Sequence, residues 1–238
     1  MLKIALLRVG IDSGAGGMDS PIFGDGRFEF IPIPDTTGLD QRTYGNQIAR
    51  STGNPLSSFF APSRQAAMRS QSIHVDPEFT TFTYGDPTSP KAGLRHLAAG
   101  DLLVFYAGLR GFGCDIASGL YLIGYFEVEF AGRVRDLTKE QIQACNGNFH
   151  VRHRSVFLAQ RDRLVLVKGS ADSRLLTKAM KISVRGQDRS GKPLKILSPE
   201  MRQIFGSFNG KLSFQRSPTR WVFDEYVLGA ARFVRGLP

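Results

Sequence analysis

Two apolar segments constrain what this chain can fold into more than anything else in it. Asp101-Leu102-Leu103-Val104-Phe105-Tyr106-Ala107 and Gly119–Phe130 are crowded with aromatic and β-branched residues, and a glycine-rich stretch separates them. Such side chains suit a pleated, half-buried surface, and runs bounded by glycine read as strands. Leu2–Leu7 adds a buried strand of the same kind. The expectation is an α+β fold: a strand-rich mixed sheet or a partly closed barrel on residues 2–8, 101–107 and 119–130, with peripheral helices. A chain of 238 residues buries enough surface for a core without disulfides or metal. One domain over residues 1–238 follows.

Weaker signals fill in the rest. Phe28–Pro32 reads as a short strand broken by proline, and Val156–Leu158 and Arg163–Val167 as further strands. Pro90–Ala99 is a short helix stopped by Gly100. Thr138–Cys145 is a helix whose cap, Thr138, has its capping-box partner in Gln141. Pro199–Phe205, capped by Ser198, and Phe223–Phe233 are also helical. Residues 35–69 are polar, rich in Gly, Ser and Pro, and predict a long surface excursion.

The net charge of +10 is lopsided. Residues 1–130 carry 10 Lys and Arg against 13 Asp and Glu, whereas residues 131–238 carry 21 against 8. Of the 31 basic residues 22 are arginine, whose planar fork suits phosphate and base edges. A polyanionic partner, DNA or RNA, fits this asymmetry; an inert basic surface is the plain alternative. Two cysteines, Cys114 and Cys145, exclude a disulfide scaffold and suit a reducing compartment. The apolar run at Leu2–Leu7 is too short for a signal peptide, and no run is long enough to span a membrane as a helix. These features predict a cytoplasmic protein with no membrane partner.

Three groups of residues could carry chemistry. Arg8-Val9-Gly10-Ile11-Asp12-Ser13-Gly14-Ala15-Gly16-Gly17 follows the first strand directly. Its glycines would let backbone amides approach an anion, with Asp12 at the strand's mouth. The spacing is neither a dinucleotide fingerprint nor a phosphate loop, and a plain tight turn explains it equally well. His74-Val75-Asp76-Pro77 comes next, then Thr83-Tyr84-Gly85-Asp86-Pro87. In an extended segment His74 and Asp76 face one way, so they suit acid–base work or one metal ion. Turn-starting Asp-Pro pairs beside a half-buried histidine are the plain alternative. We assign Asp12, His74, Asp76 and Asp86 to catalysis and no residue to metal.

His150 and His153 sit among Arg152 and Arg154, a cationic setting that suits phosphate contact and opposes structural zinc. The third group, Gln215, Arg216, Arg220 and Trp221, suits base stacking with phosphate or base-edge hydrogen bonds. Substrate contacts are accordingly expected at Arg8, Ser13, Gly16, Gly17, Asp35, Tyr84, His150, Arg152, Gln215, Arg216, Arg220 and Trp221. Nothing in the chain identifies a cofactor.

At these same segments, with Ser20-Pro21-Ile22, Ile31–Asp35, Gly100–Tyr106 and Ser213–Trp221, the chain resembles the nucleotide-modification-associated domain family, third type, nearly end to end. The resemblance implies a role in modifying bases of nucleic acid. It marks Asp12, Asp35, His74, Asp76 and Asp86, which stand inside the matching segments. Gly100-Asp101 opening an apolar strand, followed by Leu122–Val128, looks like PUA-like barrels that read RNA or modified DNA bases. Two functions follow as expectations: an enzyme modifying a base or nucleotide in DNA or RNA by glycosidic-bond or group-transfer chemistry, or a non-catalytic reader of modified bases. Converging ionisable groups would favour the enzyme, and an aromatic cage the reader.

Overall fold

The computed structural model describes residues 1–188, 190–214 and 218–238. In chain order, β1 (Ile4–Arg8) and β2 (Ser20–Ile22) precede β3 (Ile33–Pro34), α1 (Pro62–Arg69) and β4 (Ile73–His74). β5 (Thr83–Asp86) leads through a 3-10 helix, Ser89–His96, to the long strands β6 (Leu102–Gly111) and β7 (Gly119–Arg133). Three short helices follow: α2 (Lys139–Ala144), α3 (Phe149–Arg152) and α4 (Arg154–Gln160). Next come β8 (Val165–Gly169), β9 (Arg174–Lys181), β10 (Ser183–Gln187) and β11 (Pro193–Leu197). α5 (Pro199–Phe205), β12 (Arg220–Trp221) and α6 (Asp224–Arg235) complete the order.

The apolar segments build one mixed sheet. β12, β1, β6, β7, β8 and β5 lie side by side in that order, while β2 also pairs with β6 and β9 with β7. β1 runs parallel to β6, and β6 antiparallel to β7. The α+β class is as expected, but among the described residues the sheet does not close, since β12 and β5 end the path. Phe105, Phe126 and Phe79 meet edge to face, with ring centroids 4.7–5.5 Å apart. Burying a side chain of this size stabilises the fold by about 1.5–3 kcal/mol.

Several local expectations need correction. Residues 156–158 are helical, inside α4, because they bury one side against the fold, at Val156, and leave Leu158 exposed. A three-residue apolar run does not distinguish the two periods. Phe28 makes a single bridge to Ile22, and the paired residues are Ile33 and Pro34, opposite His74 and Ile73. Prolines 32 and 34 remove donors that a longer strand would need. Residues 35–69 are not a bare excursion. They contain a 3-10 turn, Leu56–Phe59, and α1, and they bury Tyr44, Phe59, Phe60 and Met68 in a second apolar cluster with Ile11, Ile31 and Ile73. Tyr44 donates to the Pro32 carbonyl at 2.8 Å. The predicted helix at Pro90–Ala99 is 3-10 and ends at His96. β9, β10 and β11 had no counterpart in the sequence reading.

Candidate active site

β1 ends at Arg8, and the chain turns at once into the glycine loop. Asp12 organises that loop: its Oδ1 accepts from the amides of Gly14 and Ala15 at 2.8 and 2.7 Å. Its Oδ2 lies 2.9 Å from Arg8 Nη2. Gly16 has φ +100°, and a Cβ there would fall 2.3 Å from the Ile11 side chain, so the loop's path requires glycine.

His74 ends β4, whose Ile73 points into the second cluster. Two residues on, the Asp76 side chain is only 4% exposed. Its Oδ1 accepts from Asn148 Nδ2 at 3.2 Å, and the Gly85 amide reaches both carboxylate oxygens at 3.1–3.2 Å. Asp76 Oδ2 faces two imidazoles, His150 Nε2 at 3.6 Å and His74 Nε2 at 4.0 Å.

The far side of this group comes from α3. Asn148 caps it, its Oδ1 accepting from the His150 amide at 3.0 Å, which turns its Nδ2 toward Asp76. His150 Nδ1 lies 2.7 Å from Gln160 Oε1, at the end of α4. A carbonyl oxygen accepts, so Nδ1 carries the proton and Nε2 presents its lone pair to Asp76. Gly85 is part of the fit: a Cβ there would lie 2.6 Å from Asn148 Oδ1 and 3.1 Å from His150 Cδ2.

Burial sets the protonation of these groups. It pushes the Asp76 carboxyl well above the usual range, with the nearby Asp86 charge adding to it and the Gly85 and Asn148 hydrogen bonds opposing it. It lowers His74 to about 4, with His150 adding to the effect, and it lowers His150 as well. Lys91, also buried, is shifted down by desolvation against the pull of Asp86 and Asp76. Asp86 accepts from Tyr84 Oη at 3.0 Å and lies 3.9 Å from Lys91 Nζ.

These side chains line one cleft of about 480 Å³, which contains Arg8, Asp12, His74, Asp76, Tyr84, Asp86, Lys91 and His150. A second cleft, of about 840 Å³, shares Arg8 and Asp12 with the first. Its other walls carry Ser13, Arg110, Lys181, Arg185 and Lys195. A third depression, of about 520 Å³, lies against His74 and His150 and includes Gly16, Asp35, Phe149 and Gln160.

The other expected contacts take varied places. His150 does not stand among the surface arginines; it is buried against Asp76 and Gln160, on the wall of the first cleft and of the third depression. Asp35 ties its own loop by accepting from the Thr37 and Leu39 amides. Arg152 lies 3.9 Å from Asp40, and Gly17 packs against Arg64. Arg220 bonds the Ser213 carbonyl and covers the Phe214 ring, while Trp221 packs at Gly93 from the edge strand β12. Neither lines any of the three clefts. Gln215 and Arg216 lie outside the described residues. Sequence reasoning missed Asn148, Gln160, Lys91 and the particular residues of the basic wall, although the charge excess of residues 131–238 pointed to a basic face. Asn148 before Phe149 had the pattern of a helix cap, the one signal that was there to read.

The fold and site define an α+β protein in which a buried carboxyl and two imidazoles open onto a cleft beside a basic groove. The profile of the nucleotide modification associated domain 3 family matches residues 3–233, and the chain belongs to that family. The family's name connects it with nucleotide modification and implies a nucleotide or nucleic-acid substrate. No curated protein and no solved structure matches the chain.

Proposed function

We propose that this chain is an enzyme that modifies a base or nucleotide within DNA or RNA, with His74, Asp76 and His150 at the reacting centre. The observation that carries this reading is that the two clefts share Arg8 and Asp12. A phosphate backbone held by Arg110, Lys181, Arg185 and Lys195 would then place an extruded base against the carboxylate and imidazoles. Asp76, raised by burial, suits a proton donor or a carboxylate that gains a partner on binding; the lowered histidines suit acceptors. Glycosidic-bond and group-transfer chemistry both use such groups.

A reader of modified bases would offer an aromatic cage. Tyr84, the aromatic side chain on the first cleft, is instead buried, with its hydroxyl on Asp86. That favours turnover over simple recognition. Mass spectrometry of nucleosides from host DNA and RNA, with the gene intact, deleted or carrying Asp76→Asn, tests the proposal. A nucleoside lost in both the deletion and the variant is expected. Identical nucleoside profiles in all three strains would overturn it.

A further inference from the structure

We propose that His74, Asp76 and His150 bind one divalent first-row transition cation, of the zinc or iron(II) kind, with open coordination positions toward the cleft that holds Arg8 and Asp12. The assignment deepens the enzyme reading, on which the purpose of the metal rests. Binding itself is argued from three independent features of the geometry.

The first is the donor set. One ligand atom from each residue lies within 4.8 Å of the other two. Two imidazoles and one carboxylate suit zinc and non-haem iron, whereas calcium and magnesium prefer all-oxygen surroundings. Bonds of about 2.0–2.2 Å place donor atoms about 3–3.5 Å apart. The separations of 3.6 and 4.0 Å at Asp76 Oδ2 therefore need only a small inward movement.

The second feature is the outer layer. Metal-binding histidines commonly donate their other ring N–H to a fixed acceptor, and ligating carboxylates are themselves hydrogen-bonded. Gln160 fills that role for His150, leaving Nε2 to point at Asp76. Asn148 holds Oδ1 and the Gly85 amide reaches both oxygens, while Oδ2 faces the space between the imidazoles.

The third is the missing counter-charge. Among the described residues no Lys or Arg lies within ion-pair distance of the buried Asp76 carboxylate, whose neighbours at that range are the two imidazoles. A buried carboxyl with no cation at hand keeps its proton. A divalent ion at Oδ2 would take that proton's place and supply the missing positive charge. Three protein ligands leave room for water or substrate, the arrangement of catalytic rather than structural sites. His74 and His150 border two of the clefts, so access exists from both sides.

The experiment uses the full chain, stripped with a chelator and then titrated with Co²⁺, with Zn²⁺, with Fe²⁺ under anaerobic conditions, and with Mg²⁺. One Co²⁺ per chain is expected, with visible d–d absorption that one equivalent of Zn²⁺ abolishes. His74→Ala, Asp76→Asn and His150→Ala should each weaken Co²⁺ binding at least a hundredfold. Gln160→Ala, which leaves all three ligands in place, should weaken it about tenfold. Circular dichroism of the metal-free forms establishes which variants fold; if the ligand variants do not, wild-type stoichiometry and Gln160→Ala decide.

Absence of stoichiometric Co²⁺, Zn²⁺ and Fe²⁺ binding by the wild-type chain overturns the proposal. So does binding that all the folded variants retain, or a response to Mg²⁺ alone. The two readings fail separately. A chain that binds Co²⁺ while host nucleosides stay unchanged loses the enzyme reading and keeps the metal. Modification that survives chelation in a chain binding no transition metal does the reverse.

Discussion

Asp12 shows how far a single side chain's role depends on its partners. Read alone, a carboxylate at a strand's mouth is a candidate nucleophile. In the folded chain one oxygen closes the glycine loop and the other holds Arg8. Within the proposed function these contacts support a positioning role for Asp12, and Asp76 is the carboxylate that faces the imidazoles. Asp12→Asn keeps an oxygen for the two loop amides and loses the ion pair. Its modification rate in a reconstituted assay should fall about tenfold, the scale of one charge-assisted hydrogen bond. Asp76→Asn should abolish turnover. Equal loss in the two variants would return Asp12 to the chemistry. Gly85 belongs to the same scale, because only a missing Cβ lets Asn148 and His150 approach its strand so closely.

At the scale of elements, the segment of residues 35–50 matters because it braces the site's helices. Asp40 receives Arg42 Nε at 3.0 Å and Nη2 at 2.6 Å, and lies 3.6 Å from His153 Nε2. His153 in turn packs on Phe149, and Phe149 on His74, with centroids 4.7 and 4.0 Å apart. Burial pushes the Asp40 carboxyl up, but the Arg42 hydrogen bonds and the Arg42 and Arg152 charges outweigh it and hold the group at about 2. Its unfolded value is 3.8, so its stabilisation is complete above that pH and disappears as pH falls toward about 2. Asp40→Asn should cost about 1.5–3 kcal/mol at pH 6. Urea melts at successive pH values should show the gap from wild type closing between about pH 4 and pH 2. A gap that stays constant to pH 2 would refute this role.

For the molecule as a whole, the uneven charge acquires a location. Lys181, Arg185 and Lys195, from the basic half, face Arg8 and Asp12, from the acidic half, across the larger cleft. If that cleft holds phosphates, Lys181→Ala and Arg185→Ala should each weaken nucleic-acid binding. Each should flatten the log–log salt slope by about 0.9 on duplex DNA. Arg220→Ala should behave differently. Its guanidinium bonds the Ser213 carbonyl and lies 5.8 Å from the Phe214 ring centre, so it should lower the melting temperature and leave the slope unchanged. Fluorescence anisotropy at several salt concentrations distinguishes these outcomes, and an unchanged slope in both cleft variants would remove the phosphate role.

What could be read from the sequence was local or strongly patterned. The capping box of Thr138 and Gln141 and the Ser198 cap formed where expected, because a cap is decided within a few residues by orphan amides seeking an oxygen. β1, β6 and β7 were legible because long aromatic and β-branched runs have few other ways to leave water. His74 and Asp76 were recognisable as a pair, since two residues in extended chain share a face. His150 was not recognisable as their partner. Asn148 meets Asp76 across 72 residues of chain, and Gln160 fixes the imidazole from a separate helix. Whether a histidine meets phosphate at the surface or a carboxylate in the interior depends on which distant segments pack over it. Only the tertiary structure decides that, because burial and desolvation belong to the assembled fold rather than to any stretch of sequence.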